Sequence, residues 1–365
     1  MKTRMLAYRG FEGDPVPKLV EIDIPEVGDG DVLVKIKSAG LTYGTSSLQK
    51  AGLLKPMPMT LGHEGAGVVE AVGRDVQGTK PGDRVRIHPT LSCGACRHCH
   101  TDRDHMCWGS AMMGFRSFDR VVPDYARYHN GFFAEFAVAP ERQIDRLPDR
   151  VSFDSGAKLH YAANAWRALR AAELPAGGTL AILGATGSMG VVTIKVAPFF
   201  GVSRLVIIGR STERLEEVAE LSAVPVDIVS TDTMGENWAE TGALPRRMAA
   251  VAPEGVDAIV DYLPEGGAMW QAASGLATGG NFVNMGGGPQ PFGFPMRALI
   301  GKCWKVVGTR NHSRLDAKEV LRLMEAGRLS IEDLITHRAP LAQIDDAFEK
   351  MVSRTEPVWL SVVHP

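Results

Sequence analysis

A length of 365 residues suggests two domains, at roughly 100 to 200 residues each. With 45% hydrophobic and 22% charged residues, the composition is that of a packed globular chain, not a disordered or fibrous one. A formal charge of −2 gives no global field for nucleic acid or an anionic membrane, and no apolar run reaches the ~18 residues of a transmembrane helix. The start, MKTRMLAYRGFEGD, has no signal-peptide core, so the cytoplasm is the expected compartment.

Residues 1–150 are rich in Gly and Pro and carry short alternating or β-branched runs at 31–37 and 67–72, which read as strands of an irregular β-rich domain. Pro81-Gly82-Asp83 reads as a turn leading into another strand that ends at Ile87. No long helix is expected before about residue 153. From there an Ala-rich helix over 155–173 precedes an apolar strand at 179–183, a helix at 189–200 and a strand at 205–208, which is β-α-β order. A helix at 213–221, a strand at 256–260, a helix at 267–277 and strands at 280–285 and 304–308 extend it into a parallel sheet covered by helices. After a helix at 316–326, the tail carries a short helix at 344–352 and a strand at 357–363, expected to return to the first domain. No internal repeat or heptad run is visible.

Four of the five cysteines fall between Cys93 and Cys107, too crowded for a secreted disulfide framework. The spacing Cys93-x2-Cys96-x2-Cys99-x7-Cys107 supplies four soft thiolates on one short loop and predicts a closed tetrahedral structural zinc site, with an iron-sulfur cluster as the rival. His98, His100 and His105 read as surface residues. The loop lacks the basic and aromatic interleaving of a nucleic-acid-binding zinc knuckle. Cys303, in an apolar run, reads as a buried strand residue.

Leu183-Gly184-Ala185-Thr186-Gly187-Ser188-Met189-Gly190 puts a strand end, a glycine turn and a helix start in one stretch. Gly184 permits the turn, Gly187 lets backbone approach a pyrophosphate, and Gly190 allows close helix–strand packing. The helix N-terminus offers unpaired N–H groups to the phosphates. At the end of the next strand an NAD site would carry an acidic residue; here Gly209-Arg210-Ser211 offers a guanidinium and a hydroxyl, which favours NADP(H) over NAD(H).

These two motifs, with Leu61-Gly62-His63-Glu64-Gly65-Ala66-Gly67, resemble the zinc-containing medium-chain alcohol dehydrogenase superfamily, in the same order over essentially the whole chain. The resemblance implies an α/β protein with a GroES-like β-rich catalytic domain and a Rossmann doubly wound parallel-sheet domain. Its expected division is 1–155 for the catalytic domain, 156–308 for the nucleotide-binding domain and 309–365 for a return segment. It further implies an active site in the cleft between the domains and a glycine-rich segment, Met285-Gly286-Gly287-Gly288, beside the nicotinamide.

The chain departs from the family where the catalytic zinc binds. The family's Cys-Gly-Thr/Ser-Asp segment corresponds to Tyr43-Gly44-Thr45-Ser46, so the cysteine ligand is replaced by Tyr43. Aligned through Trp166-Arg167-Ala168-Leu169, the third ligand position is His160. That leaves His63, Glu64 and His160 as a two-His, one-Glu set for a catalytic zinc, against the alternative of a site that has lost its metal. Thr45 matches the family's hydroxyl proton relay, whose outer histidine would fall near Leu48 and is missing. Without zinc, Tyr43 becomes the expected proton donor.

The stretch 108–130, with Met112, Met113, Phe115, Arg116, Phe118, Arg120, Tyr125, Arg127 and Tyr128, is expected to border the substrate site and favour a bulky, aromatic or anionic small molecule. The leading expectation is an NADP-dependent alcohol dehydrogenase or carbonyl reductase. The alternatives are a zinc-free reductase of activated double bonds or quinones and a non-catalytic nucleotide-binding protein. A homodimer or homotetramer is expected, with the strand at 304–308 pairing across a dimer axis.

Overall fold

A computed structural model describes residues 3–118, 120, 122–264, 267–287, 296–353 and 357–365. The chain divides into two compact units, one of Met1–His160 with Ser313–Pro365, the other of Tyr161–His312.

The first unit opens with a hairpin the sequence did not announce, β1 (Arg4–Phe11) against β2 (Asp14–Asp23). Next comes β3 (Asp31–Leu41), buried at all but two of its positions. A short helix α1 (Tyr43–Lys50) follows, capped by Thr42, whose hydroxyl accepts from Thr45 N and satisfies one orphan donor of the first turn. β4 (Met59–Thr60) joins the edge of β1, and β5 (Gly65–Val72) and β6 (Arg84–Ile87) extend the sheet from β3. β7 (Thr90–Leu91) and β8 (Ala111–Met112) pair across the base of the cysteine loop, and β9 (Arg116–Ser117) pairs with β8. After a single helical turn, α2 (Tyr125–Tyr128), β10 (Phe136–Pro140) pairs with β3 and β11 (Ile144–Arg146) with β6. The long helix α3 (Phe153–Ala172) then carries the chain across the division, which falls after His160.

In the second unit β12 (Thr179–Leu183), α4 (Ser188–Val196), β13 (Arg204–Gly209), α5 (Thr212–Ala219) and β14 (Val226–Ser230) alternate. Two short helices, α6 (Trp238–Thr241) and α7 (Ala243–Val251), precede β15 (Val256–Asp261) and β16 (Leu276–Asn284); α8 (Met296–Lys302) and β17 (Lys305–Gly308) complete the unit. The six strands are parallel in the order β14-β13-β12-β15-β16-β17. Ala181, Leu183, Val206, Ile208, Ile259 and Phe282 are fully buried, as a parallel sheet covered on both faces requires. The helix expected at 267–277 is instead a 3-10 stretch, Gly267–Gly275, with the strand beginning at Leu276. Cys303 is exposed at φ +53 between α8 and β17, not buried in a strand.

The chain returns through α9 (Arg314–Glu325), whose start is fixed by a Ser313/Asp316 capping box. β18 (Ile335–Pro340), α10 (Ile344–Ser353) and β19 (Leu360–His364) follow. β19 pairs antiparallel with β3 and parallel with β18, giving the order β11-β6-β5-β3-β19-β18. Val32, Val34, Ile36, Leu61, Val85, Phe132, Phe133 and Val363 meet in this unit's main core.

Candidate active site and metal centres

In the second unit β12 ends at Leu183, and the next residue, Gly184, turns the chain toward α4 with a φ of +80. A Cβ at Gly190 would lie 2.4 Å from Ala185 O, so the helix start packs directly on the turn. At Gly187, the N-cap of α4, a Cβ would meet only Gly184 O, at 3.4 Å, so nothing inside the unit demands a glycine there. Thr186, Ser188 and Met189 are half-buried around it. β13 ends at Gly209, and Arg210 is exposed; Ser211 caps α5 by accepting from Arg214 N at 3.4 Å. The sequence did not reveal Asp232, whose carboxylate accepts from Thr212 N and Thr212 Oγ1 at 2.8 Å and from Ser230 Oγ at 2.6 Å. Met285 N donates to Asp261 O, and a Cβ at Gly286 would lie 2.2 Å from Leu263 O, so this glycine serves backbone packing whatever it binds. Gly288 lies outside the described residues.

In the first unit the four cysteines converge. Their Sγ atoms are separated by 3.4 Å (Cys93–Cys107), 3.6 Å (Cys96–Cys99), 3.8 Å (Cys96–Cys107) and 3.9 Å (Cys93–Cys99). A tetrahedral zinc with Zn–S bonds of about 2.3 Å needs edges of about 3.8 Å. The sulfurs therefore match a closed S4 site. Two neighbours differ from expectation: His98 and His105 are buried, His98 with its ring edge-on to Trp108 at 5.7 Å, because the loop folds back on itself. His100 is exposed.

The second cluster is His63, Glu64 and His160, all buried, with one ligand atom from each within 4.8 Å of the others. His63 and Glu64 stand between β4 and β5, and His160 comes from α3. The His63 ring lies 5.1 Å from that of His160 and 4.9 Å from Phe115. Its Nδ1 faces Thr45 Oγ1 at 3.5 Å, and Thr45 Oγ1 lies 2.9 Å from Thr42 Oγ1. Burial, reinforced by the charge of Lys158, pushes the His63 pKa down to about 3, which keeps the imidazole neutral. Neutral imidazole is the form that binds metal. Glu64 Oε1 is buried with no hydrogen-bond partner, an acceptor left open to a ligand. Two imidazoles and a carboxylate with an open oxygen fit zinc. Tyr43, by contrast, is 42% exposed at the start of α1.

One residue of this cluster was not foreseen. Lys158, on α3, is fully buried, and its Nζ donates to Glu64 Oε2 at 2.6 Å and to Leu41 O at 2.9 Å. Burial drives the Glu64 pKa up and the Lys158 pKa down, each opposed by the partner's charge. Beside it runs a second polar chain: Arg86, also buried, donates to Asp145 Oδ2 at 3.1 Å and to His88 Nδ1 at 2.9 Å. Burial, then the Arg86 charge, holds His88 well below the usual histidine range.

The stretch 108–130 is mostly packing. Met112, Met113, Tyr125 and Tyr128 are buried, and Arg127 pairs with Asp31, while Phe115 sets its ring against His63. A cleft of about 500 Å³ instead opens beside Thr45 and Ser46, walled by Tyr8, Pro17, Phe348 and Val352.

Comparison with known proteins agrees with this architecture. Residues 28–149 match the alcohol dehydrogenase GroES-like domain, and residues 188–326 match the zinc-binding dehydrogenase family. The chain is 28% identical over 349 residues to the NAD-dependent alcohol dehydrogenase of Sulfolobus acidocaldarius, covering 93% of each. It is 28% identical over 346 residues to the probable D-xylulose reductase A of Neosartorya fischeri, covering 93% of this chain and 92% of that one. A cobalt- and zinc-bound thermostable alcohol dehydrogenase from Pyrobaculum aerophilum superposes with a TM-score of 0.83 at 27% identity, covering 99% of this chain and all of that one. The fold and motifs define a two-domain nicotinamide-dependent oxidoreductase. The chain belongs to the zinc-containing medium-chain dehydrogenase superfamily and is an NAD(P)-dependent enzyme of the alcohol or polyol dehydrogenase type acting on a small molecule. The double-bond reductase and non-catalytic readings are not favoured by these relatives. Among the described residues no helix is long and apolar enough to cross a membrane.

Proposed function

We propose that this chain is an NADP-preferring dehydrogenase that passes hydride between nicotinamide C4 and the carbon of an alcohol or its carbonyl, with His63, Glu64 and His160 as its catalytic metal site. The convergence of two imidazoles and a carboxylate within 4.8 Å of one another carries this reading. Zinc held there would polarise the substrate oxygen as a Lewis acid. With Nδ1 turned to Thr45, His63 keeps a fixed ring and offers Nε2 as a ligand. Thr45 Oγ1, paired with Thr42 Oγ1, takes the alcohol proton and passes it along the hydroxyl pair. The four cysteines hold a structural zinc, and the 500 Å³ cleft beside Thr45 receives the rest of the substrate.

The pyrophosphate binds over Gly184–Gly190: the space open at Gly187, where no neighbour of the unit requires a glycine, supports this. The NADP preference rests on the exposed Arg210 and on the saturation of the nearby Asp232 by Thr212 and Ser230. Homo-oligomerisation through the edge strand β17 is supported by exposed Val306, Ile300 and Met296 on and beside it. Four clustered thiols favour a reducing compartment, the cytoplasm.

Titrating the wild type and Arg210→Ala with NADPH and with NADH, followed by nicotinamide fluorescence, tests the cofactor. NADPH is expected to bind the wild type at least tenfold more tightly than NADH, and Arg210→Ala to lose about tenfold for NADPH alone, about 1.4 kcal/mol. Equal or tighter NADH binding overturns the preference. Turnover on a panel of secondary alcohols and polyols tests the reaction, and its absence with both nucleotides overturns the dehydrogenase reading.

A further inference from the structure

Lys158 has no part in the motifs that identify the family, yet it is built into the centre of the histidine cluster. It sits two positions before His160 on α3, fully buried, with its Nζ 2.6 Å from Glu64 Oε2. The fold makes room for this pair deliberately: a Cβ at Gly40, on β3, would lie 2.0 Å from Glu64 Oε2 and 2.8 Å from Lys158 Cδ. The second hydrogen bond, to Leu41 O at 2.9 Å, fixes the ammonium from the β3 side. Of the three donors, Glu64 alone brings a negative charge, since histidine ligates as neutral imidazole. The fold has already given that charge a cation.

We propose that Lys158 sets the metal affinity of the cluster: by engaging Glu64 Oε2 and fixing a positive charge beside the donors, it makes the second metal weakly held and exchangeable. This rests on the reading of His63, Glu64 and His160 as a metal site. A divalent cation entering the cluster meets one carboxylate and one ammonium, whose charges cancel, inside a buried site where repulsion is poorly screened. It must also share Glu64 with a donor that already occupies one of its oxygens. The cysteine loop imposes neither penalty, so the two sites of one chain differ in how firmly they keep zinc.

The test uses the full-length protein, dialysed against a chelator and titrated with zinc against a competing indicator, as wild type, Lys158→Met and Lys158→Met/Glu64→Gln. Expected is one tightly held ion in all three, and a second that binds Lys158→Met at least tenfold more tightly than wild type. The double variant should lose that gain, because the uncovered carboxylate is its source. Zinc should raise the melting temperature of Lys158→Met more than that of wild type, the added ion replacing the missing ammonium. Equal or tighter second-site binding in wild type overturns the proposal and leaves the metal-site reading intact. A second ion on none of the proteins overturns the metal-site reading, and the proposal with it. If Lys158→Met does not fold, the wild type decides alone: a second zinc that survives the chelator overturns the proposal.

Discussion

The cysteine loop gathers its four donors from the segment between Cys93 and Cys107, across the base of one small strand pair, whereas the histidine cluster joins positions 63 and 64 to position 160. The loop's sulfurs grade from exposed to buried, and their negative charge is balanced when a metal enters. The histidine cluster lies wholly in the interior, and Lys158 balances its carboxylate before any metal arrives. A site of the first kind depends on its ion for its shape. One of the second kind is shaped by the fold and, on the proposed reading, would use its ion for chemistry.

Three perturbations press on this contrast. The largest effect belongs to Cys107→Ser, which removes the buried sulfur at the base of the loop. It should abolish tight zinc binding and cost on the order of 4 kcal/mol in urea unfolding, because the metal's binding energy is folding energy for the loop. Unchanged zinc content and stability would break the comparison. Gly40→Ala acts on the other side: its methyl overlaps Glu64 Oε2 and must displace the buried ion pair, at a cost of about 3 kcal/mol. Tight zinc at the cysteine loop should survive that change, and its loss would show the two sites to be coupled.

The smallest effect is the change that His88→Gln makes to the slope of stability with pH. His63 and His88 have folded-state pKa values below the ordinary 6.5, so the unfolded chain binds more protons as pH falls. Their stabilisation is complete above about pH 6.5 and is lost below it, at up to ~1.4 kcal/mol per pH unit for each histidine, down to about pH 3 for His63. Urea unfolding of the wild type from pH 7 to pH 5 should show the slope, and His88→Gln, which keeps an acceptor for Arg86, should flatten it. Identical slopes would assign the acid sensitivity elsewhere.

What could be read from the sequence follows the same divide. The cysteine spacing and the glycine loop are local, so spacing alone carries them to the Sγ tetrahedron and to the turn at Gly184. His160 was reached only through family resemblance, since nothing near it in the chain speaks of a metal. Lys158 was missed because a lysine on a helix ordinarily faces water, and only the pairing of β3 with β5 and the path of α3 bury it. Asp232 was missed for a like reason: it stands in the turn just after β14, a strand with no alternating pattern of burial, and reaches α5 only once β13 and β14 pair. In the stretch 108–130 residue type alone does not separate a substrate border from an anchored loop: Arg127 anchors on Asp31, while Phe115 meets His63.

The pairing of β19 with β3 sets an order of events during synthesis. Tyr161–His312, the second unit, is contiguous and precedes the return segment of the first, so it can fold while translation continues. The first unit cannot. Ala39, Gly40 and Leu41 on β3 find their partners in Val363, Val362 and Ser361, which follow the whole second unit in the chain. Until β19 has been made, the part of β3 that flanks the Glu64–Lys158 pair keeps an open edge, the kind of surface that invites pairing with another chain. Damage confined to β19 therefore strikes at a strand made long before it.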